Sequence, residues 1–350
     1  MSRRLKPIPF SSIVSQLQHW LKPYSNLQVG VLLVLLLLIA LGLSLAKGAE
    51  PLTLQEIWQA LLRQGDAVNQ TIVWQLRLPR VGAAVIVGAA LGVSGALLQG
   101  MLRNGLATPF LLGISAGAGL VAVAMLTLGI FQPWVPFAAW VGAITTTVFV
   151  YFLARTASGI AVERLILGGV AVNSLLGAIQ TTLLLLADDG RIQAALNWLV
   201  GSLNGRGWSE IIMAGPYIGL SLLFGCLLGR SVNVLNLGDD LAVGLGASLA
   251  RSRLAIGGCA TLLAAGAVSI GGLIGFVGLL VPHGIRLLVG TDYRWVLPLS
   301  AIGGALVLTL ADLLTRLGAV ELPVGAVTAL LGSPLFIWLL YRRSSPLGGS

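Results

Sequence analysis

Residues 81–101 read V-G-A-A-V-I-V-G-A-A-L-G-V-S-G-A-L-L-Q-G-M, an unbroken apolar run without a charge. A helix rises 1.5 Å per residue, so a run of this length crosses the ~30 Å hydrocarbon core of a bilayer. Gly88 and Gly92 stand four apart within it, a spacing that lets helix backbones approach where no hydrophobic drive operates between helices. The same spacing recurs at Gly113 and Gly117 and at Gly271 and Gly275. Such a run predicts a membrane-spanning helix in a tightly packed bundle.

Nine more runs of this kind flank it, giving predicted spans at 27–46, 81–101, 110–130, 134–154, 165–187, 211–229, 254–270, 272–289, 296–314 and 325–341. The seventh and eighth touch, so a turn is required at 269–272. Composition agrees: 57% of the 350 residues are hydrophobic and 9% are charged, against about 25% charged in soluble domains. A soluble enzyme and a disordered chain are both excluded. The 46 glycines follow no three-residue period, which excludes collagen. The expected fold class is an all-α polytopic membrane protein of about ten transmembrane helices. Its predicted divisions are an N-terminal segment 1–26, one transmembrane domain 27–341 and a tail 342–350.

An even number of spans puts both termini on one side. With the termini cytoplasmic, 14 of the 21 Lys and Arg residues face inward, as the positive-inside rule expects. The first apolar run is too long for a signal-peptide core and lacks a convincing cleavage site, so it reads as a retained helix. The net charge of +9 is scattered singly or in pairs between apolar runs. That distribution suits contact with membrane lipid and offers no nucleic-acid-binding face. Four of the exterior basic residues, Lys47, Arg63, Arg77 and Arg80, crowd one loop and need a separate explanation.

Two exterior stretches read as amphipathic helices lying on the surface. In the first, Leu54, Ile57, Trp58, Leu61 and Leu62 form an i, i+3, i+4, i+7, i+8 stripe. Thr53 with Glu56 makes a capping box there, and Gly65 supplies a C-terminal signal. In the second, Ile192, Ala195, Leu196, Leu199 and Val200 repeat the stripe after Asp188 and Asp189.

Several chemistries are missing. No G-x-x-x-x-G-K-[ST] loop is present to cradle nucleotide phosphates. His19 and His283 build neither an HExxH motif nor a triad, and Cys226 and Cys259 match no metal or redox spacing. Ion-coupled transport generally needs acids at membrane depth. Here Asp312 is the one acid inside a predicted span, with Arg316 four residues on and positioned for a local ion pair.

Nine segments, in order from residue 77, carry a family resemblance. They are R-L-P-R (77–80), V-G-A-A-L-G-V-S-G-A-L-L-Q (87–99), R-N-G-L-A-T-P (103–109), L-G-I-S-A-G-A (112–118) and W-L-V-G-S-L (198–203). Then follow L-G-D-D-L-A-V-G-L-G (237–246), G-F-V-G-L-L-V-P-H (275–283), A-D-L-L-T-R (311–316) and E-L-P-V-G-A-V-T-A-L-L-G-S-P (321–334). Together they resemble the permease subunits of ABC importers for iron–siderophore complexes, haem and cobalamin.

The resemblance implies ten helices per subunit, with the second to fifth and the last four related by an inverted repeat. It implies a second permease subunit, identical or paralogous, two ATP-binding cassette subunits and a periplasmic or lipid-anchored binding protein. ATP and Mg would sit on the cassette subunits and no cofactor in this chain, which would lie in the bacterial cytoplasmic membrane. A coupling loop over about 236–250 would meet the ATPase through Leu237, Gly238, Asp239, Asp240, Ala242, Leu245 and Gly246. Arg77, Arg80 and Arg316 would dock the binding protein. As the plainer alternative, Arg77 and Arg80 anchor the helix at lipid headgroups and Arg316 pairs with Asp312. Asn104, Gly105 and Leu106 would form a cytoplasmic gate with Val162 and Glu163. The chain departs from the family at Gly105, where proline is common. It departs again at Val162 and Glu163, where the cobalamin member has small hydroxyl residues. The expected function is ferric siderophore uptake by alternating access. Cobalamin or haem import is the alternative within the family, and an ion-coupled transporter is the alternative from another class.

Overall fold

The computed structural model describes residues 25–48, 50–156, 159–318 and 320–343. The predicted N-terminal segment up to residue 24 and the tail beyond 343 lie outside them. The helices are α1 (Asn26–Ala46), α2 (Leu54–Leu61), α3 (Leu78–Met101), α4 (Ile114–Leu128), α5 (Val135–Leu153), α6 (Val162–Leu185) and α7 (Asp189–Val200). They continue with α8 (Trp208–Leu227), α9 (Gly229–Asn236), α10 (Asp239–Gly244), α11 (Leu249–Gly271), α12 (Val277–Val289), α13 (Tyr293–Thr315) and α14 (Val324–Arg343). Every predicted span is a helix. Seven are long and apolar enough to cross a membrane, and Ile114–Leu128, Val277–Val289 and Val324–Trp338 are shorter apolar helices. A two-residue antiparallel ladder, Arg155 with Ile160 and Thr156 with Gly159, leads from α5 to α6.

The short helices have local causes. The predicted start at 110 falls in a 3-10 turn, Pro109–Leu112, and α4 begins only after Gly113 at φ +82°. Likewise α11 stops at Gly271, Gly272 takes φ +71°, and α12 starts after Phe276 at φ +65°. In each case a residue at positive φ interrupts the apolar run. The break at Gly272 falls where a turn was required, whereas the late starts of α4 and α12 shorten the predicted spans. The two interruptions fall at matching places: α3–α4–α5 and α11–α12–α13 each run long, short, long. The two sets run in opposite directions, since α3 enters at Arg80 and leaves beside Asp239, whereas α11 starts beside Asp239 and ends at Gly271.

The segment entering α3 is continuous with it. A turn at Ala67–Thr71 passes into a π-helical stretch, Ile72–Arg77, that ends just before Pro79. Proline lacks the N–H that an α register would use at that point, and a widened turn is one way of accommodating the loss.

The middle of the bundle is α3, α11 and α13, while α1, α5, α6 and α8 are mostly exposed apolar surface. Glycine sets how close the central pair comes. A Cβ built on Gly88 would lie 2.3 Å from the Gly304 carbonyl oxygen, and one on Gly92 would lie 2.2 Å from that of Ser300. No side chain fits there, so α3 and α13 pack backbone to backbone. Gly117 meets the Gly142 carbonyl in the same way. The pair Gly271 and Gly275 does not act like this: Gly271 ends α11, and Gly275 has open space beside it. Within the core, Gln99 donates to the carbonyls of Gly278 and Leu279 and accepts from Arg286 Nη2 at 2.6 Å, joining α3 to α12.

Both predicted amphipathic helices form, with corrected faces. The Thr53–Glu56 capping box closes on α2, and Gly65 takes φ +77°. The buried face of α2 is Ile57 and Ala60, against Leu52 and Val73, whereas Leu54, Trp58 and Leu62 of the predicted stripe are exposed. On α7, Ala195 and Trp198 are buried and Leu196 and Val200 are exposed. Periodicity locates a helix but does not say which half of a broad stripe meets the protein.

Candidate functional site: the two charged ends of the bundle

At one end, α9 and α10 form the connection between α8 and α11. Gly238 separates them at φ +111°, and Gly246 at φ +83° ends the segment. The Asp239 carboxylate, in the first turn of α10, accepts from Arg253 Nη2 at 2.8 and 2.9 Å and from Arg103 Nη2 at 3.3 Å. Arg253 belongs to α11 and Arg103 to the loop that follows α3. One carboxylate therefore ties the connection to two other elements. Ala242 is buried beneath, while Leu237, Leu241, Val243 and Leu245 are exposed together with Asp240. Leu241 was absent from the expected contact set and is among its most exposed apolar side chains.

Asp292 secures the same end. It caps α13 through the Arg294 backbone N–H, pairs with the Arg294 guanidinium at 2.7 Å and accepts from Asn233 Nδ2 at 2.7 Å. Asn233 in turn accepts from the Tyr293 N–H at 2.9 Å. The hydrogen bond from Arg294 holds the Asp292 carboxyl well below the usual carboxylate range, and that from Asn233 adds to it.

The predicted gate residues lie at this end in two separate places. Asn104 folds back so that its Oδ1 accepts from the Leu106 N–H at 2.9 Å, and Arg103 before it takes φ +50°. Leu106 is left exposed. Gly105 is not among the left-handed glycines, so the loop does not require glycine there on conformational grounds. Val162 and Glu163 open α6, with Glu163 exposed in the first turn, where a negative charge suits the helix dipole. Among the described residues no hydrogen bond or ion pair joins the two places. They are linked indirectly, through Asn173 of α6, which donates to the Phe110 carbonyl at 3.1 Å.

The opposite end is built differently. Asp312 is fully buried near the end of α13. Arg80 Nε reaches its two oxygens at 2.9 and 3.1 Å, and Arg316 Nη2 reaches Oδ2 at 2.9 Å. Arg80 also pairs with Glu321 and donates to Thr315 Oγ1 at 3.2 Å. Arg316 adds bonds to the carbonyl and hydroxyl of Ser44. Arg77 donates to the backbone carbonyls of Leu45 and Ala46, at the end of α1, and of Glu50, just beyond it.

The three arginines predicted to form a rim are thus brought together, but they are not free side chains on a surface: Arg77 is 6% and Arg80 9% exposed. Their guanidinium groups are occupied by internal partners. The predicted Asp312–Arg316 pair forms, and Arg80, Glu321, Thr315 and Ser44 enlarge it. Glu321 could have been found by counting charge, since it is an acid beside predicted exterior arginines within a segment already singled out. Nearby, Trp208 donates to the Trp74 carbonyl at 2.8 Å and Trp74 to that of Ala60 at 2.9 Å, linking α8 to α2.

An all-helical bundle with apolar helices throughout, charge networks confined to its ends and an exposed apolar patch beside Asp239 defines a multi-pass membrane protein with a surface suited to a partner. Residues 35–342 match the FecCD transport family. The hemin transport system permease protein HmuU of Yersinia pestis is 39% identical over 335 residues, covering 93% of this chain and 98% of that protein. The vitamin B12 import system permease protein BtuC of Vibrio cholerae is 39% identical over 313 residues, covering 87% and 93%. A metal-chelate type ABC transporter solved in an inward-facing conformation superposes with a TM-score of 0.82 at 30% identity, covering 90% of this chain and 99% of that one. The chain belongs to the FecCD transport family and is a multi-pass permease subunit of an ABC importer. Members of this family work with ATPase and substrate-binding partners.

Proposed function

We propose that this permease imports a ferric siderophore, by alternating access driven by two separate ATPase subunits that hold ATP and Mg. The Asp239 end is taken as cytoplasmic, in keeping with the excess of Lys and Arg on that side. The observation that carries the reading is the exposed group Leu237, Leu241, Val243 and Leu245, held from beneath by Asp239. Apolar side chains exposed on a short helix outside the bundle suit a partner's cleft. The Asp239–Arg253 contact would pass movement of that partner into α11. Asp239 serves this role through its bonds to Arg253 and Arg103, so Asp240 is the acid left to face the partner.

The Arg80 end then faces outward and receives the binding protein. Three arginines there outnumber Asp312 and Glu321, and the surplus positive charge would steer an acidic partner while the internal bonds keep the rim in shape. Asn104, Gly105 and Leu106, with Val162 and Glu163, are proposed to close the cytoplasmic exit against the second permease subunit, identical or paralogous.

The test is transport by the assembled importer in proteoliposomes, with ferric siderophore, haem and cobalamin offered separately. ATP-dependent accumulation of the siderophore is expected, and Leu241→Lys should abolish ATPase co-purification without loss of folded permease. Haem or cobalamin import is the second reading, favoured by the hemin and vitamin B12 relatives, and accumulation of either in place of siderophore would establish it.

A further inference from the structure

A cavity of about 370 Å³ opens at the Arg80 end, lined by Asn197, Trp198, Ser202, Asn204, Arg206 and Glu321 among others. Arg206 is its unusual member. The side chain is only 19% exposed, yet its nearest carboxylate, Glu210, stands 4.0 Å away. Its other contact is a long bond from Nε to the Ser202 carbonyl, at 3.5 Å. Burial pulls this guanidinium below its ordinary value, and Glu210 offsets that only in part. A guanidinium carries five donors, and here they are poorly used.

The surrounding groups add donors more than acceptors. The Asn197 oxygen is taken by Gln193 Nε2 at 3.1 Å, which leaves the Asn197 amide N–H groups for the cavity. The Ser202 hydroxyl accepts from the Asn204 N–H at 3.1 Å, and the Asn204 side chain is exposed. Glu321 would repel an anion, but its carboxylate is paired with Arg80. The cavity therefore presents a sparsely compensated cation, free amide donors and a neutralised acid, beside Trp198. A planar anion with two acceptor oxygens matches such a set, because arginine binds carboxylates through two parallel hydrogen bonds.

We propose that this cavity is a carboxylate-binding site centred on Arg206. Two sources have the same chemistry: an acidic side chain of the delivering protein, or a carboxylate arm on the incoming chelate. Both rest on the reading of this end as outward-facing. Binding of a carboxylate as such does not.

The experiment uses the purified full-length permease with Cys226→Ala and Cys259→Ala, and a trifluoroethylthio tag on Ala194→Cys at the cavity wall. Acetate and citrate are titrated at constant ionic strength, with chloride as the control, while the ¹⁹F shift is followed. A saturable shift with carboxylates and none with chloride is expected. Arg206→Gln should weaken it by about tenfold or more, the loss of one charge-assisted hydrogen-bonded contact, and Arg206→Lys by less. An equal response to chloride, no saturable response in the parent protein, or an unchanged response in Arg206→Gln would overturn the proposal. The parent titration decides the matter even if Arg206→Gln fails to fold. The sources separate in the assembled importer. Competition between acetate and binding-protein association indicates the side chain, whereas tighter citrate binding that leaves association unchanged indicates the chelate. Transport assays on siderophore, haem or cobalamin fail or succeed independently of this shift.

Discussion

At the Arg80 end, Asp312 is fully buried between arginines from α3 and from the end of α13, and its neighbours are hydroxyls and backbone carbonyls. At the Asp239 end, the central carboxylate is 37% exposed and the apolar side chains beside it face outward. Both ends use one acid to gather two arginines from separate elements. The difference lies in what surrounds the acid. A buried, fully bonded cluster locks elements together, because removing one partner strands charge away from water. A half-exposed cluster holds its segment more weakly and leaves the segment's other side available. One end of the bundle is thus built as a clasp and the other as a handle.

The comparison breaks if the clasp bears no load. Asp312→Ala leaves Arg80 and Arg316 buried without their shared carboxylate, and a loss of ~3–5 kcal/mol is expected. Thermal unfolding in detergent should show a large drop in midpoint; a variant as stable as the parent would falsify the clasp. A smaller effect is expected at the other end. Asp239→Asn should cost less, ~1–3 kcal/mol, because its partner Arg253 is buried while the carboxylate itself is 37% exposed, but should weaken ATPase association and ATP-dependent uptake. If its stability loss matched that of Asp312→Ala, the two ends would not differ in kind.

The smallest effect concerns pH at Asp292. Its carboxyl titrates below the ordinary carboxylate value in the folded protein, so its stabilising contribution is present above that range. The contribution is lost as pH falls through the folded value. The gap in unfolding midpoint between the parent and Asp292→Asn should stay flat from about pH 8 to 5 and close only below about pH 4. A gap that closes between pH 7 and 6 would point to a different titrating group.

Much of this was legible without coordinates. The ten spans, the capping box on α2, the close approach at Gly88 and Gly92 and the Asp312–Arg316 pair all follow from rules acting over a few residues. The turn after α11 was legible, since two spans touch at 269–272 and Gly272 breaks the helix there. The late starts of α4 and α12 were not, because a left-handed residue such as Phe276 carries no sequence signal that outweighs the apolar run around it. Nor did the motif segments tell which of their charges are buried: Arg77 and Arg80 read as rim residues, and packing turned them inward.

What the sequence determined by itself is the class of molecule and where its helices run, since an apolar run must satisfy its own backbone hydrogen bonds inside a membrane. The pairing of Arg80 with Asp312 spans 232 positions and that of Arg103 with Asp239 spans 136. No local rule reaches so far. Those contacts, and the cavity around Arg206, exist only because α3 and α13 close to backbone contact and bring distant helix ends into register. The decision between a free arginine and a clasped one belongs to the tertiary structure, because it depends on which carboxylate arrives within hydrogen-bonding distance.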